Sequence, residues 1–307
     1  MFMFYMRLKR FMGRPDVRQN PVQALLKRLW WRIWWSVTDK PYVIPFAENL
    51  KISVSKSGSA SLIYYQGFSE LDTADFIRRF LRPGMVFLDV GAHIGEYTLL
   101  AAQSVGASGE VHGFEPQANL FPILSENVEM NSLNNVILNC SAVSNQVGEI
   151  EFEVFNEPSV SSIRKHTTVS QNAKLVRVAC TSLNTYWSNQ PRKIDLIKVD
   201  VEGAEKLVFE GAEELMSLPS SEAPTWLFEY SPDAYACFGY QPSDLLELLK
   251  RHNYQVWQYC GAGKIADFNP AAPVTQIINL IAAKDKTYLL CLLQSESIPV
   301  TPEYAQA

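Results

Sequence analysis

Long apolar runs are missing from this sequence of 307 residues: none approaches the ~20 residues that a membrane-spanning helix needs. Cysteine is sparse. The five (Cys140, Cys180, Cys237, Cys260, Cys291) are scattered and odd in number, with no C-x-x-C, which argues against a disulfide framework or a zinc site and fits a reducing compartment. Net charge is only −5, so no global positive excess points to nucleic acid. No internal repeat or low-complexity tract stands out. The opening MFMFYMRLKR sets its apolar residues before its charges, the reverse of a signal peptide, so the expectation is a cytoplasmic protein.

What is present is enough hydrophobic material, 47% of residues, for one large domain or a domain with an appendage. The stretch Met85 to Thr98, MVFLDVGAHIGEYT, organises the rest. Apolar residues flank a single acid, Asp89; a turn follows at Gly91 and Gly95, and then the helix-forming run TLLAAQ. This is a buried parallel strand running through a tight turn into a helix, the opening unit of a doubly wound α/β domain whose ligands sit at the carboxyl ends of the strands.

Two cofactors compete for that turn. A dinucleotide wants a third glycine and no acid, so that its pyrophosphate can approach backbone N–H groups. Here His93 fills the middle of the turn and Asp89 would repel phosphate. S-adenosylmethionine carries no phosphate and brings a positive ammonium and a sulfonium for an acid to face. Glu115 closes the next strand, VHGFE, where a carboxylate accepts both ribose hydroxyls. Asp89, Glu115 and the two-glycine turn together therefore favour S-adenosylmethionine over a nicotinamide cofactor.

Three stretches carry a family resemblance: LDVGAHIGEYTLLA, GFEP at Gly113 to Pro116, and IDLIKVDVEGAEKLVFEGA at Ile194 to Ala212. The chain resembles the FkbM-type S-adenosylmethionine-dependent methyltransferases from about Phe80 to about Leu293. The last motif is long and specific; the other two are shared by many methyltransferases. His93 departs from the family pattern, which usually reads Asn there, though an imidazole can also donate a hydrogen bond. The resemblance implies a Rossmann-like class I methyltransferase fold, with a mostly parallel sheet of seven strands. It also points at Ser141 and Ala142, just after the strand VILNC, as neighbours of the adenine.

The predicted organisation is a basic appendage over 1–40, a small cover over 41–80, the cofactor-binding domain over 81–295 and a polar tail over 296–307. Residues 1–40 hold nine Lys/Arg against Asp16 and Asp39, which is +7, leaving −12 for the remainder. Asn20-Pro21 is a helix start, and Val22, Leu26, Leu29, Trp30, Ile33, Trp34 and Val37 share one face of the helix that follows. Arg28 and Arg32 lie opposite, with Lys27, Trp31 and Trp35 on the flanks. Such a helix over 20–38 either lies in a membrane interface, as peripheral contact with the inner face, or packs against its own catalytic domain or a partner subunit. Amphipathic helices usually face a core, which favours packing. YVIPF, LKISV and SLIYY read as short antiparallel strands, with Tyr64 and Tyr65 as ordinary sheet packing. EIEFEVF and LVRVA alternate as a hairpin around the polar loop 156–172, which contains His166. YQVWQY and TYLLCLL read as the last strands.

The expected reaction is O-methylation of a hydroxyl on a small molecule, sugar or lipid-linked glycan. Methyl transfer is an in-line displacement, so alignment dominates, but an unactivated hydroxyl also needs a base. Asp200, ending the strand IDLIKV, is the first candidate, beside Glu202 and Glu205. Those two are also what a helix N-terminus favours. Neighbouring acids and the sulfonium act on the Asp200 carboxylate in opposite directions. A divalent cation held by these acids is the alternative; the metal-free version is preferred because the helix start accounts for two of the three. His166 is a further candidate base from the loop. The competing readings are a nicotinamide-dependent oxidoreductase and a non-catalytic methyltransferase-like docking protein. Nothing in the residues specifies the oligomeric state.

Overall fold

A computed structural model describes residues 12–56, 58–154, 162–163, 174–272 and 277–294. The chain divides into two compact units, Met1–Leu71 and Asp72–Ala307.

In the first unit a short helix α1 (Pro15–Gln19) precedes α2 (Pro21–Val37), a hairpin of β1 (Tyr42–Phe46) and β2 (Leu50–Val54), and α3 (Gly58–Gln66). Asn20 caps α2 as its sequence predicts: the side chain accepts from the Gln23 amide at 3.1 Å, with Pro21 in the first helical turn. The hairpin is antiparallel, Phe46 opposite Leu50. SLIYY, expected as a third strand, is instead the body of α3. Ala60 and Ile63, one helical turn apart, are its buried positions, and Tyr64 and Tyr65 are taken up by ring contacts with Trp31 on α2. Tertiary packing outweighs the β propensity of Ile and Tyr here.

Helix α4 (Leu71–Phe80) leads into the second unit, whose main sheet has eight strands rather than the seven expected. Its order is β13 (Ile265–Asp267), β12 (Gln255–Tyr259), β14 (Ile278–Ala283), β11 (Thr225–Tyr230), β10 (Leu196–Val199), β3 (Val86–Val90), β4 (Glu110–Phe114) and β5 (Val136–Asn139). The five strands from β11 to β5 run parallel, while β14, β12 and β13 pair antiparallel. The additional strand is β13, a three-residue edge piece paired with β12.

Two assignments near the carboxyl end change. TYLLCLL lies in a helix, Lys286–Gln294, with Leu289, Leu292 and Leu293 buried at helical spacing and Asp285 accepting from the Tyr288 amide at 2.9 Å as its cap. The strand assigned to it is β14, INLIAA, a continuous apolar run.

The parallel strands carry helices between them. α5 (Glu96–Val105) follows β3, α6 (Phe121–Met130) follows β4, and α7 (Leu183–Trp187) precedes β10. α8 (Glu205–Glu210) and α9 (Glu213–Ser217) then link β10 to β11, and α11 (Pro242–Arg251), after a short helix α10 (Pro232–Tyr235), links β11 to β12. One face of the sheet (Leu88, Val90, Val199, Trp226, Phe228) packs with Val208 and Phe209 of α8, Met216 of α9 and Leu245 and Leu249 of α11. Because side chains alternate along a strand, Asp89 and Lys198 point to the other face. They are register partners on adjacent strands, and Gly113 pairs with Asp89 on the far side. A second sheet of β6 (Ala142–Val143), β9 (Lys174–Thr181), β7 (Gly148–Val154) and β8 (Ser162–Ile163) contains the hairpin that the alternation predicts, with Glu151 opposite Arg177. The rest of the loop 156–172, His166 included, and the tail 296–307 lie outside the described residues.

Candidate active site

Every residue of β3 is buried, as a central strand requires, and the chain leaves it through Gly91. The φ of Gly91 is +87°, and a Cβ placed there would lie 1.9 Å from the Asp200 carbonyl oxygen. Glycine at this position thus lets two loops touch, the one after β3 and the one after β10. His93 (φ +52°) and Gly95 (φ +92°) complete the turn, and α5 begins at Glu96. The Gly91 and Ala92 amides donate to the Phe114 carbonyl at 3.1 and 2.9 Å, drawing the turn against the end of β4.

Glu115, immediately after β4, is buried and doubly held. Its Oε2 accepts from the His93 amide and its Oε1 from the Gln117 amide, each at 2.9 Å. Burial nevertheless pushes its pKa up to about 7, against those two bonds and a further one from the Gln117 side chain. The backbone amide of His93 thus meets the neighbouring acid.

Asp89 is not an open acid at the rim. Its carboxyl is fully buried under the turn, where Oδ2 accepts from Thr98 Oγ1 at 2.6 Å. Oδ1 accepts no hydrogen bond and lies 4.0 Å from Lys198 Nζ. Burial pushes the pKa up, and the lysine and threonine oppose that. Lys198, itself buried, has its ammonium 2.9 Å from Asp200 Oδ2 and 4.9 Å from the centre of the Tyr97 ring. The sequence reading passed over both Thr98 and this bridging role of Lys198. Thr98 had a legible signal, being one turn into the helix that follows the strand and so facing back toward it.

Asp200 follows β10, where its amide donates to the Val90 carbonyl at 3.0 Å, and its side chain is half-buried. The nearest charge is the Lys198 ammonium, not the neighbouring acids considered from sequence. Glu202 sits on the same loop with a left-handed backbone, φ +57°. Glu205 is fully buried and holds the loop closed, Oε1 accepting from the Val201 and Gly203 amides at 3.2 Å each. It therefore belongs to the loop's scaffold, as its helix-start position suggests, and burial pushes its pKa up to about 7. Among the described residues no group of three His, Cys, Asp or Glu is arranged to hold a metal ion. Ser141 is half-buried and Ala142 buried; Ala142 opens β6 opposite Cys180.

Comparison with known proteins was made against this geometry. The family model described as the methyltransferase FkbM domain matches residues 89–256, more than half of the chain. The chain belongs to the FkbM methyltransferase family. No curated protein sequence matches it significantly. Among solved structures, a precorrin-6y C5,15-methyltransferase from Geobacter metallireducens is 12% identical, over 71% of this chain and 90% of that one, with a TM-score of 0.40. A SAM-dependent O-methyltransferase from Thermotoga maritima is also 12% identical, over 79% and 77%, at 0.39. Fibrillarin from Aeropyrum pernix, in complex with S-adenosyl-L-methionine, is 11% identical, over 69% and 73%, at 0.39. At these identities and scores the likenesses assign nothing to individual residues.

Membership of this family makes S-adenosylmethionine the cofactor, and the residues at the turn fit it. The carboxylate of Glu115 at the end of β4 suits a ligand with O–H donors, and the negative charge enclosed at Asp89 suits one that carries positive charge. The FkbM methyltransferase turn also lacks the third glycine of a pyrophosphate cradle.

Proposed function

We propose that this FkbM methyltransferase methylates a hydroxyl oxygen of a small molecule, sugar or lipid-linked glycan, with Asp200 as general base. The observation that carries the reading is the approach of the Gly91 turn to the Asp200 backbone, which sets a half-exposed carboxylate beside the cofactor turn. In this reading Glu115 accepts the two ribose hydroxyls, Ser141 and Ala142 flank the adenine, and the turn of Gly91, His93 and Gly95 shapes the methionine end. Asp89, enclosed beneath that turn, acts on a cationic ligand through its field across a low-dielectric interior rather than by an open contact. Bound S-adenosylmethionine supplies an electrophilic methyl group on a sulfonium.

The chain's own residues do the remaining work. Lys198 fixes the Asp200 carboxylate through the bond at 2.9 Å, so that one oxygen is committed and the other is available to accept the acceptor's hydroxyl proton. Glu202 adds negative charge on the same loop. The base mechanism needs no divalent cation, since Glu205 is occupied with its own loop amides and Asp200 with Lys198.

The test is transfer of labelled methyl from S-adenosylmethionine to a panel of polyols, sugars and lipid-linked glycans. The expected product is a base-stable methyl ether. Asp200→Asn is expected to lower kcat by about 100-fold or more with little change in cofactor Kd. Label on nitrogen or carbon, or an Asp200→Asn enzyme of full kcat, would overturn the proposal.

A further inference from the structure

Helix α2 has two apolar faces, and the first unit uses one. Ala24, Trp31 and Trp35 are buried. Trp31 stacks on Tyr64 with ring centres 5.3 Å apart and meets Trp35 and Tyr65 edge-on. Arg28 is tied to Asp16 at 2.6 Å and covers the Tyr65 ring. Those contacts lock the helix's rotation. Most of the face that the sequence marks as apolar points the other way: Val22, Leu26, Leu29, Trp30, Ile33 and Val37 are exposed, from 44% at Ile33 to 75% at Val37, while Trp34 is half-buried and stacks on Tyr42, whose hydroxyl also accepts from Trp30 Nε1 at 3.2 Å. The exposed residues form a continuous stripe roughly 22 Å long, at the rise of 1.5 Å per residue. Scattered exposed apolar residues need no explanation, but a contiguous stripe marks an interaction surface.

We propose that this stripe docks on an anionic lipid bilayer, with α2 lying in the plane of the interface. Charge selects the occupant. The segment 1–40 carries +7, from nine basic residues against two acids. Arg18, Arg32 and Lys40 are exposed, and Arg32 follows the exposed Leu25 by two helical turns. Anionic headgroups complement that charge. A second copy of the chain would bring a segment of the same positive sign, which opposes self-association. Trp30, apolar in body with a polar N–H, is the residue type that settles at the headgroup level. No helix among the described residues is long and apolar enough to cross a membrane, so the attachment is parallel to the surface.

The experiment is flotation of the full chain with phosphatidylcholine vesicles and with phosphatidylcholine vesicles containing phosphatidylserine, alongside light scattering without lipid. Binding to the phosphatidylserine vesicles is expected, weak on phosphatidylcholine alone and released by salt. Leu26→Glu with Ile33→Glu should abolish it, while Arg32→Ala should weaken it roughly fivefold. The milder Ile33→Ser is the companion variant, and all variants should melt and bind S-adenosylmethionine like the parent because these side chains are exposed. Failure of the parent to float, or undiminished flotation of the doubly substituted and Ile33→Ser proteins, overturns the proposal. A dimer in light scattering that the same substitutions dissolve would overturn it too, assigning the face to a second copy. None of these outcomes depends on the methyl acceptor.

Discussion

Lys198 is the residue whose removal tests the electrostatics of the site most directly. Lys198→Met keeps the length and apolar stem of the side chain and deletes the charge. At 4.0 Å, and with an effective dielectric constant of about 20, the attraction lost from Asp89 is about 4 kcal/mol. Asp200 adds little, because its side chain is 35% exposed and water screens that pair. Asp89 cannot re-enter water, being fully buried, but it can take up a proton, which recovers part of the loss. The expected destabilisation near neutral pH is therefore about 3 kcal/mol, in the range for breaking one side of a buried pair. Its pH dependence has a definite sign. Asp89 already has a raised pKa, and losing the lysine raises it further, so the folded variant holds a proton that the unfolded chain has given up. The penalty should be small in acid, below the unfolded carboxyl pKa, and should grow as pH rises. Urea unfolding followed by circular dichroism across that range measures it, and the double substitution with Asp89→Asn should recover most of the loss through a coupling of about 2 kcal/mol. A penalty under about 1 kcal/mol, a flat pH profile, or additive single and double variants would refute the reasoning.

Three further outcomes follow from the same geometry. Glu115, with a pKa of about 7, must ionise to accept two hydroxyls, so calorimetric affinity for S-adenosylmethionine should rise about tenfold per pH unit up to about 7 and level off above it. Glu115→Gln should flatten that profile and weaken binding about 10- to 100-fold; an unchanged Kd would contradict the ribose assignment. Glu205, also raised to about 7, stores protons in the fold, so stability should be greatest below about pH 4.5 and decline as pH rises through about 7. Glu205→Gln keeps an oxygen acceptor for the Val201 and Gly203 amides, so thermal melts at pH 8 should find it at least as stable as the parent, with a shallower slope. Gly91→Ala combines a φ of +87° with a methyl carbon 1.9 Å from the Asp200 carbonyl oxygen, and should cost about 3 kcal/mol or more in a melt, with cofactor binding lost. Near-parental stability would mean that the two loops do not touch.

The parts of this molecule that could be read from sequence are those whose meaning is local. VFLDV followed by glycines names a buried strand and a turn without reference to anything distant, and Glu115 and Asp200 end strands of the same kind, so the ligand edge could be placed. Lys198 is different. One residue inside an apolar strand says nothing until register sets it opposite Asp89, and register belongs to the assembled sheet. Asp89 changes meaning for the same reason, from an acid facing a ligand to a buried group answered by a threonine and a lysine. TYLLCLL and INLIAA are both short apolar runs, and periodicity alone separates a helix from a buried strand poorly at that length; Asp285, as a helix cap, was the distinguishing residue. In α2 the stripe residues Val22, Leu26, Leu29, Trp30, Ile33 and Val37 are exposed, and packing within the first unit falls to the tryptophans on its flank. Trp31 buries its rings against Tyr64 and Tyr65 and meets Trp35 edge-on, and the Arg28–Asp16 pair adds a fixed anchor on that side. Periodicity gives an apolar face its direction around a helix but not what that face meets, and here the exposed stripe leaves a surface for something outside the first unit to cover.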